Sequence, residues 1–293
     1  MIIINNTIKM VNIKTYITNN IEYIVFFVLI IILIVLVSKR TFDNFFTEQH
    51  GINRLDAIIY INLENRTDRK DLLLKELEAL NTNMEKVHKV SGVFIPKNGH
   101  KGCIQSHILA LNMIKLNKWQ RVLILEDDAT LTVSPESANN IINKTLDYLD
   151  SNDNINWNVV MLATAYKVLN NTSTNYNTTL QIDKPETPDT PTIPQTTGNT
   201  DLNPSTIKLE KILSATTSSA YIVKGSYVNT ILNLFKKSNY NMDHTKLSGN
   251  NFEPYALDQQ WVSLQKSDNW YALSPDIITQ REIWSSIMSE SHT

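Results

Sequence analysis

The sequence has a single cysteine, few glycines and almost no net charge, and each scarcity excludes a class of protein. Because Cys103 is the only cysteine among 293 residues, no disulfide can form within the chain, which excludes a disulfide-stabilised secreted scaffold. A net charge of −2 gives no electrostatic reason to predict nucleic-acid binding. The sequence also lacks a glycine-rich phosphate-binding loop. Its hydrophobic content of 42% is sufficient for one medium-sized globular domain with appendages.

The longest apolar run lies near the N-terminus. Every residue from Tyr23 to Val37 is apolar. Residues 21–38 approach the length of about 20 residues that a transmembrane helix needs. We therefore predict an N-terminal tail at residues 1–20 and a membrane-spanning helix at residues 21–38, with a buried core helix as the alternative. Basic residues flank both ends of the run, so the positive-inside rule does not assign the side of the globular domain. The localisation predicted is a single-pass protein of an endomembrane or of a viral or host membrane.

The remaining chain is predicted to form one globular domain at residues 57–287, between a stem at residues 39–56 and a tail at residues 288–293. Within it, residues 170–205 are rich in Thr, Asn, Pro and Asp and contain almost no large apolar side chain. Such a segment cannot bury enough surface to offset the entropy lost on ordering. We predict a mobile insertion there, which is either a lid or a tolerated expansion.

The first seventy residues of the domain alternate between strand-like and helix-like patterns. The predicted order is strand, helix, strand, turn, helix and strand at Ala57–Ile61, Thr67–Leu80, Lys86–Val93, Gly99–Gly102, Cys103–Leu116 and Arg121–Leu125. This alternation predicts an α/β layer with parallel strands. Further strands are predicted at 157–162, 207–212, 216–223 and 270–273, and further helices from Ser134, from Gly225 to Phe235 and from Asp258.

Three carboxylates, Glu126, Asp127 and Asp128, directly follow the apolar strand that begins at Arg121. Open α/β sheets bind ligands beyond the carboxyl ends of their strands, which is where these acids are expected. Clustered acids repel one another unless a cation is near, and carboxylate oxygens suit Mg²⁺ or Mn²⁺ with a diphosphate completing the coordination. The alternative is that the acids cap a helix or face solvent in a turn.

Two other groups of polar residues are candidates for a site. Asn62 and Arg66 lie in the loop after the first strand, where a nucleotide's base or phosphates could approach, although Arg66 and Arg69 could equally be solvated. Cys103 and His107 are one helical turn apart and could contribute to a metal site. Since no further Cys or His is nearby in the sequence, a core thiol and a hydrogen-bonded imidazole is the preferred interpretation of that pair.

Three ordered segments together resemble glycosyltransferase family 25, the lipooligosaccharide and procollagen galactosyltransferase group. Tyr60-Ile-Asn-Leu-Glu-Asn-Arg-Thr-Asp-Arg69 is similar to the family's opening Ile-Asn-Leu-x-x-Arg-x-x-Arg block. Gly102-Cys-Ile-Gln-Ser-His107 is similar to its Gly-Cys-x-x-Ser-His block, and Leu123-Ile-Leu-Glu-Asp-Asp-Ala129 to its Glu-Asp-Asp block. The resemblance implies a GT-A-type fold, that is, a Rossmann-like mixed sheet flanked by helices.

The resemblance also implies a reaction. The expected activity is metal-dependent, inverting transfer of galactose or another hexose from a UDP-sugar to a hydroxyl of a glycan or protein acceptor. Asp128 would bind Mn²⁺ or Mg²⁺ directly, while Glu126 and Asp127 would contact the metal's waters or the ribose.

The resemblance further implies roles for residues outside the acid cluster. Asn62, Arg66 and Arg69 would hold the nucleotide. A general base is needed for the acceptor hydroxyl, and we assign that role to Asp258, with Glu253 in reserve and a helix N-cap as the alternative role of Asp258.

Two other functions compete with sugar transfer. A catalytically degenerate, membrane-anchored binding or structural protein would keep the fold without turnover. A metal-dependent phosphohydrolase of the haloacid-dehalogenase type would need Asp-x-Asp-x-Thr after the strand, which Asp127-Asp-Ala-Thr-Leu131 does not provide.

Overall fold

The structure is a computed structural model that describes residues 25–36, 50–152, 155–170, 178–181, 206–244 and 252–281. The chain divides into two units, Met1–Gln49 and His50–Thr293. In the first unit, residues 25–36 form helix α1, and all twelve of its side chains are exposed. Within the described ranges, none of the helices combines the length and apolar character needed to cross a membrane. The ends of the predicted span 21–38 and the tails at 1–20 and 288–293 lie outside the described residues.

The second unit is built from alternating strands and helices. Its described strands are β1 (Ala57–Asn62), β2 (Val87–Ser91), β3 (Arg121–Glu126), β4 (Ala129–Leu131), β5 (Val159–Met161), β6 (Ala165–Leu169), β7 (Thr178–Gln181), β8 (Thr206–Thr216), β9 (Ala220–Lys224), β10 (Trp270–Ser274) and β11 (Ile278–Gln280). Its described α-helices are α2 (Thr67–Ala79), α3 (Gly99–Asn117), α4 (Pro135–Ser151), α5 (Val228–His244), α6 (Leu257–Gln260) and α7 (Val262–Ser267). Short 3-10 helices are at Gly51–Arg54, Met84–Lys86, Gly225–Tyr227 and Glu253–Tyr255.

The main sheet is mixed, in the order β2-β1-β3-β9-β5-β10-β8-β6, with β7 also paired to β8. Strands β1, β2 and β3 are parallel, as their helical connections predict, and β9 runs antiparallel to β3. A separate antiparallel pair joins β4 to β11. The predicted mixed α/β architecture is therefore present, and the carboxyl ends of β1 and β3 lie side by side.

Apolar side chains fill both faces of the sheet. In β1, Ile58 and Tyr60 belong to one buried cluster, and Ala57 and Ile59 belong to the other, because successive side chains of a strand point to opposite faces. Helices α2 and α4 contribute to the first cluster and helices α3 and α5 to the second. The helix predicted at Thr67–Leu80 is confirmed as α2, and its Leu73 and Leu77 are buried and each contribute about 1.5–3 kcal/mol.

The structure corrects four of the predicted boundaries. Helix α3 begins at Gly99 and not at Cys103, because Asn98 caps it by accepting the Lys101 N–H at 3.0 Å. The stem is shorter than predicted, since Ile52 and Leu55 are buried in the domain core.

The other two corrections lie in the second half of the domain. Four residues of the predicted insertion form β7, whose backbone pairs with β8. Helix α5 continues nine residues past Phe235 because an apolar face with Met242 remains available to the core.

Gly225 is a position where the fold requires glycine. A Cβ atom there would lie 2.1 Å from the carbonyl oxygen of Trp119, and the Gly225 N–H donates to the Gln120 carbonyl at 2.7 Å. We expect Gly225→Ala to lower the free energy of unfolding by about 1–3 kcal/mol, as overpacking does elsewhere. Urea denaturation of the full chain measures this. The exposed neighbour Ser226 provides the control, because Ser226→Ala is expected to change stability by less than about 0.5 kcal/mol. Equal effects of the two substitutions would contradict the packing argument.

Candidate active site

The three acids lie at one end of the sheet, beside a cleft. Strand β3 ends at Glu126, and Asp127 and Asp128 form the turn to β4. Since Ile61 of β1 pairs with Glu126, Asn62 is placed next to the acids. The cleft is open to solvent on one side, has a cavity volume of about 140 Å³ and is lined by residues of β1, β3, α2, α3 and the segment after β2.

Asp127 is held from two sides. Its Oδ2 accepts a hydrogen bond from the Asn62 amide at 2.9 Å, and its Oδ1 accepts one from the Arg69 guanidinium at 3.0 Å. Arg69 is only 6% exposed and Asp127 only 8%, so this is a buried ion pair. Both carboxylate oxygens of Asp127 are therefore engaged within the protein. The sequence placed Asn62 and Arg69 against a nucleotide, whereas the structure places both against Asp127.

Asp128 differs from Asp127 in having a carboxylate oxygen that is available to bind a metal ion. Its Oδ2 lies 3.5 Å from the Arg69 guanidinium, while its buried Oδ1 has no hydrogen-bond partner among the described residues. The Asn62 side-chain oxygen is likewise buried without a partner in that part of the chain. Burial, reinforced by the negative charges of Glu126 and Asp127, raises the pKa of Asp128 to about 7, against the opposing charge of Arg69. Among the described residues, Arg69 thus faces three carboxylates, and this excess of negative charge favours the binding of a further cation.

Glu126 faces α3 and the start of β9, and three polar side chains approach one of its oxygens. Its Oε1 is 3.2 Å from His107 Nε2 and 3.9 Å from Cys103 Sγ, and it also accepts from the Ser218 hydroxyl. Burial opposes ionisation of Glu126, but the hydrogen bonds from His107 and Ser218 and the positive charges of His107 and Arg69 together outweigh it, so the pKa of Glu126 is lowered. Glu126 is therefore held as a carboxylate.

His107 is fully buried in α3 and is fixed from both ring nitrogens. Its Nδ1 lies 2.9 Å from the Tyr221 hydroxyl, and its ring stacks on that of Tyr221 with a centroid separation of 5.8 Å. Phe235 contacts the ring edge-on. The hydrogen-bonded imidazole expected from the sequence is confirmed, but its partners come from β3 and β9. Burial, together with the charges of Glu126 and Asp258, raises the pKa of the Cys103 thiol well above its usual value.

The acid cluster does not include Arg66, Asp258 or Glu253. Arg66 makes a bidentate contact to the exposed carboxylate of Asp68 at 2.9 and 3.0 Å. Asp258 accepts the Thr217 N–H at 3.1 Å and is close enough to Cys103 to influence its pKa. Glu253 is exposed in its 3-10 helix.

Two parts of the site were not identified from the sequence. Ser218 and Tyr221, on the connection into β9 and on β9 itself, complete the environment of Glu126 and His107. The sequence from Thr216 to Ser219 was predicted only as the start of a strand, and its small hydroxyl residues do not by themselves indicate which carboxylate they face. Another part of the cleft wall, including Val93 and Phe94, follows β2; the predicted strand extended to Val93, but nothing in the sequence marked this segment as lining a site.

The family comparison decides the assignment. Residues 97–246, about half of the chain, match the sequence model of glycosyltransferase family 25 (LPS biosynthesis protein). The chain belongs to glycosyltransferase family 25. The match includes the Gly102–His107 and Leu123–Ala129 blocks of this family 25 protein, and Asn62, Arg66 and Asp258 lie outside it. Sugar transfer is the activity that membership supports.

Other comparisons add little to the family 25 assignment. No curated protein sequence matches the chain. A glycosyltransferase involved in glycosylation of the major capsid of PBCV-1 is 10% identical, with a TM-score of 0.36 over 78% of this chain and 93% of that one. Mannose-1-phosphate geranyltransferase from Thermus thermophilus is 10% identical, with a TM-score of 0.37 over 78% and 75%. A197 from STIV is 12% identical, with a TM-score of 0.34 over 74% and 81%. Scores of this size do not establish a shared fold, so the assignment depends on the family match.

Proposed function

We propose that this family 25 protein is a metal-dependent, inverting glycosyltransferase with a GT-A-type fold that transfers a hexose from a UDP-sugar to a hydroxyl of a glycan or protein acceptor. The observation that carries the proposal is the buried Oδ1 of Asp128, which has no hydrogen-bond partner in the described part of the chain and lies at a cleft where, among the same residues, three carboxylates face Arg69. A buried polar atom without a partner costs about 1–3 kcal/mol. A bound cation removes this cost, and with it the repulsion among the acids.

The donor set fits a hard cation, Mn²⁺ or Mg²⁺. Asp128 would hold the ion directly, since its Oδ1 is available. Asp127 would contribute charge, or a contact through the ion's waters, because Asn62 and Arg69 already occupy its two oxygens. When bound, such an ion neutralises the diphosphate leaving group.

Residues on either side of the acids would hold the donor. Glu126 would meet the ribose, with its carboxylate oriented by His107. Arg66 lies in the loop after β1, directly before α2, and contacts the exposed carboxylate of Asp68. On donor binding, the Arg66 guanidinium would leave Asp68 and bind the donor's phosphates, because guanidinium groups bind phosphate well. Arg69 would act indirectly, by fixing Asp127 and balancing the charge of Asp128.

In the proposed reaction, the acceptor oxygen forms a bond to the anomeric carbon as the bond from that carbon to the diphosphate oxygen breaks. UDP leaves with the bonding electrons, and the acceptor's proton passes to a general base. Asp258 is the proposed base, because it lies on the Cys103 side of the cluster and Thr217 orients its carboxylate. Glu253 remains the reserve candidate.

Attachment to a membrane through residues 21–38 is a separate part of the proposal. Its support is the uninterrupted apolar sequence and the helical conformation of residues 25–36 with exposed apolar side chains. The acceptor would then be a glycan or protein presented at that membrane.

A donor screen tests the proposal. The full chain is incubated with each UDP-sugar and Mn²⁺, and released UDP is measured together with calorimetric binding of UDP. We expect one UDP-hexose to be consumed, and chelation of the metal to stop the reaction. Binding of UDP with Mn²⁺ but without consumption of any donor would favour the degenerate binding protein. Absence of both binding and turnover would refute the nucleotide-sugar proposal.

A further inference from the structure

We propose that Cys103, His107 and Glu126 form a second cation site, selective for a soft or borderline divalent ion such as Zn²⁺. The three candidate ligand atoms are Cys103 Sγ, His107 Nε2 and a carboxylate oxygen of Glu126, and they all lie within 4.8 Å of one another. A thiolate, an imidazole and a carboxylate make up a donor set typical of zinc sites with an open position. The proposal does not depend on sugar transfer.

The separations between the ligand atoms fit one ion. Bonds of about 2.0–2.3 Å in a tetrahedral zinc site place neighbouring ligand atoms roughly 3.3–3.7 Å apart. Glu126 Oε1 lies 3.2 Å from His107 Nε2 and 3.9 Å from Cys103 Sγ. An ion would therefore need only small side-chain movements to reach all three atoms. The thiol contact at 3.9 Å is too long to hold Sγ firmly, so binding an ion would break no strong bond to the sulfur.

The imidazole is already oriented as a metal ligand. The Tyr221 hydroxyl lies 2.9 Å from Nδ1 and the rings of Tyr221 and Phe235 enclose the imidazole, which fixes the direction of Nε2. Metal-binding histidines almost always donate their second ring N–H to an acceptor, and the Tyr221 hydroxyl oxygen can act as that acceptor here. On binding, Cys103 releases its thiol proton to water in the cleft. The neutral imidazole takes the tautomer with its proton on Nδ1, where the Tyr221 oxygen accepts it, so that Nε2 presents its lone pair to the ion.

The electrostatic surroundings favour a cation at this cluster. The charges of Glu126, Asp258 and Asp128 all oppose formation of a free thiolate at Cys103. A divalent ion reverses that effect, because it compensates for the thiolate and lowers the repulsion from the acids. Access is available, since Cys103, His107 and Glu126 all line the cleft. The fourth position would face the cleft and take water or an anionic ligand.

Cobalt substitution provides a direct test, because Cys103 is the only cysteine of the chain. The full chain, freed of metal, is titrated with Co²⁺ alone, and the near-ultraviolet absorption is recorded. We expect a thiolate-to-cobalt charge-transfer band that saturates at one ion per chain and disappears when Zn²⁺ is added. Cys103→Ser should abolish the band. His107→Gln should weaken the affinity for Co²⁺ by at least about tenfold, since even outer partners of metal ligands are worth about 10–100-fold.

Two control variants separate this site from other sources of binding. His100→Gln removes a histidine from the same helix, α3, that is not part of the cluster, and should leave the band unchanged. Asp128→Asn should also retain it, although the same substitution disables the proposed hard-cation site. If no sugar transfer is found, the cobalt band can still be observed. If no cobalt band is found, the proposed sugar transfer is not affected.

Thermal unfolding without metal establishes that each variant is folded, and Cys103→Ser alone decides the question if His107→Gln does not fold. Absence of the band in the parent protein would overturn the proposal. Co²⁺ affinity that survives both ligand substitutions but is lost in Asp128→Asn would place the ion at the acids and also overturn it.

Discussion

Asp128→Asn is expected to give a folded protein that is more stable than the parent without metal and at least about a hundredfold less active with it. The loss of activity follows because the substitution removes the proposed direct metal ligand, and even outer-shell partners of metal sites are worth about 10–100-fold. The gain in stability follows because the Asp128 carboxylate is buried among acids, which raises its pKa to about 7. The amide of Asn has a similar shape and carries no charge.

The pH dependence of the stability gain has a definite sign. An acid whose pKa is higher in the folded state makes folding less favourable as pH rises, since the unfolded chain releases its proton first. The destabilisation by Asp128 is absent below its ordinary pKa of 3.8, grows between about pH 4 and 7, and is complete above about pH 7. The stability advantage of Asp128→Asn should therefore increase over that interval and then stay constant. Its size is about 1–4 kcal/mol, because one pKa unit corresponds to about 1.4 kcal/mol and the interaction with Glu126 reduces the full effect.

Scanning calorimetry in the presence of a chelator, at several pH values, measures this difference. A gain of about 1–4 kcal/mol in a domain of this size raises Tm by roughly 2–16 °C. Addition of Mn²⁺ and UDP should stabilise the parent and leave Asp128→Asn unchanged. A variant that is fully active, or less stable than the parent at about pH 8 in chelator, would remove Asp128 from the assigned position in the mechanism.

Arg69→Met is expected to lower the free energy of unfolding by about 3–5 kcal/mol. Arg69 contacts Asp127 at 3.0 Å and Asp128 at 3.5 Å, and all three side chains are at most 15% exposed. Removing one partner of a buried ion pair leaves an uncompensated charge, which accounts for the size of the effect. Urea denaturation of the full chain gives the value. Adding Asp127→Asn to the variant should recover part of the lost free energy of unfolding, because the substitution removes the negative charge that Arg69 no longer compensates.

Arg66→Met is the matched control, three residues earlier in the chain. Arg66 pairs with Asp68, whose side chain is 56% exposed, and such surface pairs contribute only about 0–1 kcal/mol. Stability should therefore change little, while the affinity for UDP should fall because Arg66 is the proposed phosphate contact. Comparable destabilisation by both substitutions would contradict the buried-pair interpretation of Arg69. A normal UDP affinity in Arg66→Met would contradict its assigned role.

Local patterns predicted the framework of the fold well. The strand before Glu126 and the helix that became α2 were predicted from patterns of neighbouring residues, and both were confirmed. The start of α3 was placed four residues too late because glycines at 99 and 102 resemble a turn, although the Asn98 cap was present in the sequence. The structure shows why glycine occupies position 102: a Cβ atom there would lie 2.3 Å from the Val93 carbonyl oxygen.

The site was less predictable, because its interactions join residues far apart in the chain. The three acids were recognised as a group from the sequence. Which of them has an oxygen available for a metal depends on Asn62 and Arg69, which bind Asp127 and lie 65 and 58 residues from it in the chain. Cys103 and His107 were recognised as a pair and set aside for want of a third ligand. Glu126 supplies it from the neighbouring strand, and only the sheet register brings it to Nε2.

The position of β7 has a consequence for how the gene can vary. β7, which lies within the Thr- and Asn-rich segment, pairs with β8, four strands from β3 in the sheet order. At about 4.8 Å per strand, β8 lies roughly 19 Å from the strand that carries the acids. Residues gained or lost in the sequence beside β7 would therefore not strain the strand on which the chemistry depends, so that part of the sequence is free to accumulate length and low complexity.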